Sequence, residues 1–437
     1  MSTRPTARPG SGTERWFSIK QQIHGRLLNS LTPEQLKTLN REAAREQIGT
    51  VVERLVHEEQ MPMTAVERER LIEEILDEVF GLGPLEPLLK DPTISDILVN
   101  GYNNVYVERG GIMVETNVRF KDQNHVRMII DRIVSNIGRR IDDSSPIVDA
   151  RLADGSRMCA VIPPLSLIGP VMSIRRFGKK LLTVDELMKY ESFTPGMLDF
   201  LSGCVEARLN IIVSGGSGSG KTTMLNTMSR FIPDSERLVT IEDTAELQMQ
   251  QSHLVRLETR PMNIEGAGAI SQRDLVINAL RMRPDRIIIG ECRGSEAFDM
   301  MQAMNTGHDG SMTTVHANSA RDAFSRLETM VMMASQHIPD RVIRQMLTSA
   351  VNIVLHCSRL QDGTRKVTSI CEVVDTDGES VDMQDVFVFE RDGMSPRGRV
   401  VGRFKGMGVK PKCLNRLKAY GVHLSPEIFS EVQEVHD

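Results

Sequence analysis

Residues 215–222 read Gly-Gly-Ser-Gly-Ser-Gly-Lys-Thr, which fits the phosphate-binding pattern G-x-x-x-x-G-K-[ST]. The preceding residues 209–214 are apolar and β-branched, as in a buried parallel strand, whereas a Gly/Ser linker would have no such strand before it. The glycines allow the backbone N–H groups to approach an anion closely. Lys221 is predicted to reach the β- and γ-phosphates, and Thr222 to bind Mg²⁺. The predicted nucleotide-binding residues are Gly215, Gly216, Ser217, Gly218, Ser219, Gly220, Lys221, Thr222 and Thr223.

Two carboxylates follow other apolar, strand-like segments. Glu291 comes after residues 287–290, and Glu242 comes after residues 239–241. Ligands bind at the carboxyl ends of parallel strands, so both side chains are candidates for chemistry on a phosphate. Glu242 is the first choice for the residue that orients the attacking water, with Glu291 second. Glu291 is also predicted to hold Mg²⁺, partly through water. The alternatives are a surface turn at Glu291 and a helix cap formed by Asp243.

Histidines and arginines supply the remaining candidates. His308 and His316 flank the strand-like residues 311–315, and His316 is preferred as a hydrogen-bonding residue beside the γ-phosphate; a structural histidine is the alternative. An arginine from the same or a neighbouring chain can neutralise transition-state charge. Arg293 and Arg176 are the candidates for this role, each chosen from a larger group of arginines. The alternative for most members of both groups is that they are solvated surface charges. The two groups are Arg281, Arg283 and Arg293 near Glu291, and Arg139, Arg140, Arg151, Arg157, Arg175 and Arg176 further upstream.

The composition narrows the class of function. The net charge of −5 and an aromatic content of 4% argue against nucleic acid as the main partner. The six cysteines form no C-x-x-C pair, so neither a zinc site nor a disulfide framework is expected, and a reducing cytoplasm is the simplest compartment. No apolar run approaches 18 residues, so a membrane span is not expected. Association with a membrane through partners remains open.

The chain length of 437 residues is enough for two or three domains. We expect a disordered tail over 1–30, a helical region over 31–90 and a small α+β domain over 91–178. The helical region includes a helix start at Thr32 and a helix over 64–80. In the α+β domain the pattern predicts one helix over 124–138 and strands over 94–99, 104–108, 113–118 and 158–162. Residues 179–191 are polar and are predicted to be a linker with a hinge.

Residues 192–437 are predicted to form an α/β ATPase domain with a C-terminal extension. Strand-like and helix-like segments alternate, which indicates a parallel sheet with helices on both faces. The candidate strands are residues 209–214, 237–242, 254–257, 286–290, 311–315 and 353–356. From residue 365 onward the pattern predicts a mixture of short strands and helices.

The order of the motifs resembles that of the type II/IV secretion-superfamily ATPases. Residues 215–222 resemble the Walker A motif, 240–246 the Asp box, 287–291 the Walker B motif and 307–318 the His box of this family. Residues 83–101 are typical of the CpaF-like branch, which drives Tad/Flp pilus assembly. The resemblance covers residues from about 70 to 360. The absence of a tetracysteine module argues against the type II secretion branch.

This resemblance implies a RecA-like P-loop ATPase core behind an N-terminal α+β (PAS-like) domain, with ATP and Mg²⁺ as cofactors. It further implies a homohexameric ring, working with platform proteins on the cytoplasmic face of the inner membrane to power pilus assembly or protein secretion. The alternative within the class is a type IV secretion traffic ATPase. A RecA-like helicase or DNA translocase is disfavoured by the acidic charge and low aromatic content. A nucleotide-binding scaffold is disfavoured because Lys221, Glu242 and Glu291 occur together.

Overall fold

The computed structural model describes residues 41–58, 63–176, 182–262, 267–335, 337–376 and 379–435. The chain divides into two compact units, residues 1–178 and 179–437. The tail expected over residues 1–30 and the helix start expected at Thr32 lie outside the described residues. No helix within the described ranges is long and apolar enough to cross a membrane.

The first unit begins with a pair of helices, α1 (Arg41–Glu58) and α2 (Ala65–Phe80). Helix α2 starts at a capping box: Thr64 Oγ1 accepts from Glu67 N at 3.2 Å, and the Glu67 carboxylate accepts from Thr64 N at 2.8 Å. Its apolar face packs against α1 in a small core that includes Ile48, Leu71 and Ile75. The helix ends at Gly81, and α3 (Glu86–Lys90) leads into the α+β domain.

The α+β domain is an antiparallel sheet with one long helix, α4 (Gln123–Asn136). The six described strands lie in the order β3-β2-β1-β6-β5-β4, with bounds β1 Ile94–Asn100, β2 Val105–Arg109, β3 Ile112–Glu115, β4 Ile147–Arg151, β5 Arg157–Val161 and β6 Val171–Arg175. The predicted helix and four strands are confirmed, with small shifts at their ends. Strands β4 and β6 were missed.

The second unit is built on one mixed sheet of ten described strands, in the order β16-β15-β14-β13-β12-β7-β11-β10-β8-β9. Neighbours from β12 to β9 are parallel, and those from β12 to β16 are antiparallel. The parallel strands are β7 Ile211–Gly215, β8 Leu238–Glu242, β9 Leu254–Glu258, β10 Arg286–Cys292, β11 Met312–His316 and β12 Ile353–Arg359. All six strands predicted from the sequence are present.

Helices cover both faces of this sheet, as the alternation of strands and helices predicts. They are α5 Val184–Lys189, α6 Pro195–Glu206, α7 Lys221–Ser229, α8 Gln272–Ala279, α9 Glu296–Asn305, α10 Ala320–Ala334, α11 Asp340–Ala350 and α12 Leu414–Ala419. Successive residues of β7 enter opposite cores, since Ile211 and Val213 belong to one cluster and Ile212 to the other. The predicted α/β class with a preceding α+β domain is therefore confirmed.

Two expectations for this unit were wrong in detail. The extension contains the long strands β13 (Arg365–Thr376) and β14 (Val381–Met394), followed by β15 (Val400–Gly406) and β16 (Val432–Val435). Long strands form there because they continue the central sheet by antiparallel pairing. The expected linker contains α5, and Glu191 O accepts a 3.0 Å hydrogen bond from the buried Lys366 Nζ. The second half of that segment is thus attached to the sheet.

Candidate active site

The phosphate loop joins β7 to α7, as its sequence predicts. Gly220 precedes α7 with a φ of 99°, a left-handed conformation that favours glycine. At Gly215 a Cβ would lie 2.4 Å from the Cys357 carbonyl oxygen of β12, so only glycine fits against the neighbouring strand. Ser219 Oγ donates to Gly216 O at 3.0 Å and holds the loop closed on itself. The first N–H groups of α7 are thereby presented at the carboxyl edge of the sheet.

Lys221 lies folded over the loop that carries it. Its Nζ donates to Gly215 O at 3.0 Å and to Gly216 O at 2.9 Å, and lies 4.0 Å from Glu291 Oε1. Burial lowers the pKa of Lys221, while the Glu291 carboxylate acts in the opposite direction. The ammonium group is held by loop carbonyls, which are weaker partners than phosphate. It is therefore placed to transfer to the phosphates of a bound nucleotide.

Glu291 lies in β10 beside Lys221 and Arg293. Arg293 donates through Nε at 2.8 Å and through Nη2 at 2.5 Å to the same oxygen, Glu291 Oε2. Oε1 is the oxygen that faces Lys221. The structure therefore brings together three of the sequence-predicted residues, and it places Arg293 on a carboxylate of its own chain.

Glu242 ends β8 and is 3% exposed. Its Oε2 accepts from Glu246 N at 2.6 Å and from Leu247 N at 2.8 Å. Its buried Oε1 has no hydrogen-bond partner among the described residues. Burial raises the pKa of Glu242 and outweighs the two backbone hydrogen bonds that lower it. Glu242 also packs against β10, because a Cβ at Gly290 would lie 3.0 Å from Glu242 Cγ.

The alternative that Asp243 caps a following helix is wrong. The described residues from 243 to 253 contain no helix, and the backbone N–H groups of that segment turn back onto Glu242 instead. Glu242, the residue predicted to orient the attacking water, thus also fixes the conformation of the loop that follows β8.

The two histidines lie at opposite ends of β11. His316 is the last residue of the strand and pairs in register with Gly215, at the edge that carries the phosphate loop. His308 precedes the strand, next to the turn in which Gly310 N donates to Asn210 Oδ1 at the start of β7. His308 is therefore on the far edge of the sheet, and the γ-phosphate role considered for it is wrong.

Two of the three arginine candidates near Glu291 in the sequence are separated from it in the structure. Arg281 and Arg283 precede β10, whereas Glu291 is near its other end, about 17 Å away along the strand from Arg286. The upstream arginines belong to the first unit and have partners there. Arg176 Nη1 donates to Asp91 O, and Arg175 Nε lies 3.0 Å from Asp96 Oδ1. The predicted role of Arg176 at the nucleotide stays a prediction.

Sequence reasoning missed three side chains on the other flank of the loop. His356 Nδ1 lies 2.8 Å from Ser214 Oγ, and burial lowers its pKa. Arg365 Nε donates to Gly218 O at 2.8 Å, and Arg359 lies on the paired strand. The Asp362-Gly363 dipeptide between the arginines is a hairpin signal in the sequence. It could have placed the two arginines side by side, but not beside the phosphate loop.

A family model described as Type II/IV secretion system protein matches residues 78–404. The chain belongs to the type II/IV secretion system ATPase family. A second model, described as the N-terminal domain of type II secretion system protein E, matches residues 16–80. The chain is therefore an ATPase of this family and binds nucleotide.

Similar proteins come from secretion and conjugal-transfer systems. A protein of Mycobacterium tuberculosis (strain CDC 1551 / Oshkosh), named as a candidate conjugal transfer protein, is 36% identical over 73% of this chain and 91% of its own length. The type IV secretion system protein VirB11 of Bartonella quintana is 32% identical over 66% of this chain and 91% of its own length. The VirB11 ATPase crystal structure from Brucella suis, in complex with sulphate, is 30% identical and covers 67% of this chain and 96% of that chain, with a TM-score of 0.37.

Proposed function

We propose that this ATPase is the motor of a type IV secretion or conjugal-transfer machine. The similarity to a VirB11 protein over 91% of that protein's length is the observation that carries the proposal. It favours the traffic-ATPase alternative over Tad/Flp pilus assembly. Pilus assembly remains the second candidate, because residues 83–101 are typical of the CpaF-like branch.

We assign the hydrolytic roles from the surroundings of the two carboxylates. Glu242 is the proposed base that orients water, because its Oε2 is fixed by two backbone N–H groups and its buried Oε1 has no partner among the described residues. Glu291 is engaged by Lys221 and Arg293, and it is the proposed Mg²⁺ residue together with Thr222. Hydroxyl and carboxylate oxygens suit Mg²⁺, which neutralises charge developing on the phosphates when it is bound.

Charge-removing substitutions test these roles. Lys221→Ala should abolish hydrolysis while the fold survives, since the contacts of the Lys221 ammonium group among the described residues are two loop carbonyls and one carboxylate. Glu242→Gln and Glu291→Gln should each leave ATP bound but slow turnover by about 10²–10⁴-fold. Full turnover by Glu242→Gln would transfer the base assignment to Glu291. A Lys221→Ala rate near that of wild type would refute the site.

We also propose that the working form is a homohexamer attached to inner-membrane platform proteins at the cytoplasmic face. A phosphate loop at a strand end leaves one side of the nucleotide open, and arginines such as Arg176 can close it from the same or a neighbouring chain. Inactive Lys221→Ala subunits mixed into wild type should depress the rate more than in proportion to their fraction. A strictly proportional loss would show that the subunits hydrolyse ATP independently.

A type IV secretion machine and a pilus-assembly machine would lose different cellular activities when this ATPase is inactivated. In cells carrying Lys221→Ala, we expect loss of conjugal transfer or protein export, measured against a wild-type copy supplied on a plasmid. Loss of surface pili with transfer intact would instead support the second candidate. Nucleic acid is not proposed as the ATPase's main direct partner, so single-stranded DNA should leave the purified rate unchanged.

A further inference from the structure

Two arginines form a cross-strand pair directly beside the phosphate loop. Arg359 ends β12 and Arg365 begins β13, and the two are partners in the antiparallel register. Both side chains are exposed. Like charges directly opposite each other destabilise a sheet, so an anion bound beside the two groups would favour this pairing.

The hairpin holds these arginines in a defined position. The turn between them is closed by Leu360 N donating to Thr364 O at 2.8 Å. Asp362 Oδ1 accepts from Thr364 N at 3.0 Å, and Asp362 Oδ2 accepts from Val400 N at 2.9 Å on β15. The turn is thus fixed both to itself and to a neighbouring strand, so the arginines are presented on a rigid element.

Both arginines reach the glycine-rich part of the loop. Arg365 Nε donates to Gly218 O at 2.8 Å, and a Cβ at Gly220 would lie 3.7 Å from Arg365 Cδ. A Cβ at Gly218 would lie 3.8 Å from Arg359 Nη1. Among the described residues, Gly218 O is the side-chain hydrogen-bond partner of Arg365, so both of its Nη groups remain available for a ligand.

The strand order decides which end of a nucleotide they can meet. Strand β7 lies between β12 on one side and β11, β10 and β8 on the other. The carboxylates Glu291 and Glu242, and with them the γ-phosphate, belong to the β10 and β8 side. The nucleoside end must therefore extend over the opposite side, which is the side of the β12–β13 hairpin.

We propose that Arg359 and Arg365 bind the nucleoside end of the nucleotide, through the α-phosphate and the face of the base. A guanidinium group suits both contacts, because its planar fork binds phosphate and its face stacks on an aromatic ring. The pair contributes to affinity for ATP and ADP alike and takes no part in the hydrolytic step. This inference rests on the ATPase activity of the family and is independent of the transported cargo.

Equilibrium binding by calorimetry to three probes tests the proposal: ATP, ADP and inorganic tripolyphosphate. Arg365→Ala and Arg359→Ala should each weaken ATP and ADP by on the order of 10-fold and weaken tripolyphosphate by a smaller factor, because tripolyphosphate offers the phosphate contact but has no base. KM should rise with kcat unchanged, since uniform binding is lost. Arg365→Lys should recover only part of the loss. Arg403→Ala, an exposed arginine of β15 paired with Glu390, is the matched control and should bind all three probes as wild type does.

Other results would overturn the proposal. Weaker binding of ATP and tripolyphosphate with ADP unaffected would place the pair at the γ-phosphate. Equal weakening of all three probes, with a lower unfolding temperature in the absence of nucleotide, would mean that Arg365 only supports the loop through Gly218. Unchanged binding of all three probes would exclude the nucleotide as the ligand. If the wild-type protein binds neither ATP nor ADP, the ATPase conclusion itself is refuted. That result is distinguishable from failure of the arginine proposal, in which the wild type binds both nucleotides and the arginine variants bind them equally well.

Discussion

Arg286 begins β10, the strand that carries Glu291 near its other end, and its side chain is 0% exposed. Its Nε and Nη2 donate to the two carboxylate oxygens of Glu236 at 2.5 and 3.1 Å, and Nη1 donates to Val205 O at 2.7 Å. Replacing Arg286 by Met removes the cation and leaves Glu236, which is itself only 13% exposed. We expect this change to destabilise the second unit strongly.

The size of the loss follows from the contacts that remain. Removing one member of a buried ion pair costs about 3–5 kcal/mol. Arg208 Nη2 stays 3.8 Å from Glu236, and Arg208 N still donates to Val205 O, so Arg286→Met should cost about 3 kcal/mol, at the low end of that range. This corresponds to a fall of roughly 6–12 °C in melting temperature. Glu236→Leu leaves the fully buried cation without its carboxylate partner and should cost at least as much.

Thermal and urea unfolding followed by circular dichroism, on both single variants and the double variant, measures these differences. The double variant should be more stable than either single variant, because neither charge is then left uncompensated. The KM for ATP of the folded protein should not change, since the pair lies at the opposite edge of the sheet from the phosphate loop. If the two losses simply add in the double variant, or if Glu236→Leu is nearly neutral, this account of the pair is refuted.

Three further changes give defined outcomes. Gly215→Ala should abolish nucleotide binding in calorimetry, because the new Cβ would lie 2.4 Å from Cys357 O, a backbone atom of the neighbouring strand. Asn210→Ala should cost about 3 kcal/mol in urea unfolding, since Gly310 N, Ser311 N and Ala350 O each lose a buried hydrogen bond. Glu242→Gln should raise the unfolding temperature at neutral pH. Burial raises the pKa of Glu242 above 4.5 in the folded state, so the wild type loses stability as pH rises from 4.5 through that pKa. The difference in unfolding temperature between Glu242→Gln and wild type should grow over the same pH range and then become constant.

Much of the nucleotide site is encoded in short stretches of sequence. The phosphate loop, the strand before it and the helix after it are adjacent in the chain, so 209–230 could be interpreted without any knowledge of the rest. Glu242 and Glu291 follow apolar runs, and a parallel sheet brings the ends of such runs to one edge. Those predictions depend only on local patterns of burial and on the chemistry of single side chains.

The order of the strands was decided by tertiary packing. The sequence of residues 353–365 does not indicate that β12 pairs with β7, which precedes it by more than a hundred residues. Arg359 and Arg365 could therefore not be placed beside the phosphate loop from the sequence. The histidines differ in this respect, because they lie on either side of the predicted strand 311–315, and their placement on opposite edges of the sheet needs no knowledge of strand order. Strand pairing is selected by which faces bury against one another across the whole unit. The sequence alone therefore determined the type of chemistry, and only the tertiary structure decided which charged groups share the site.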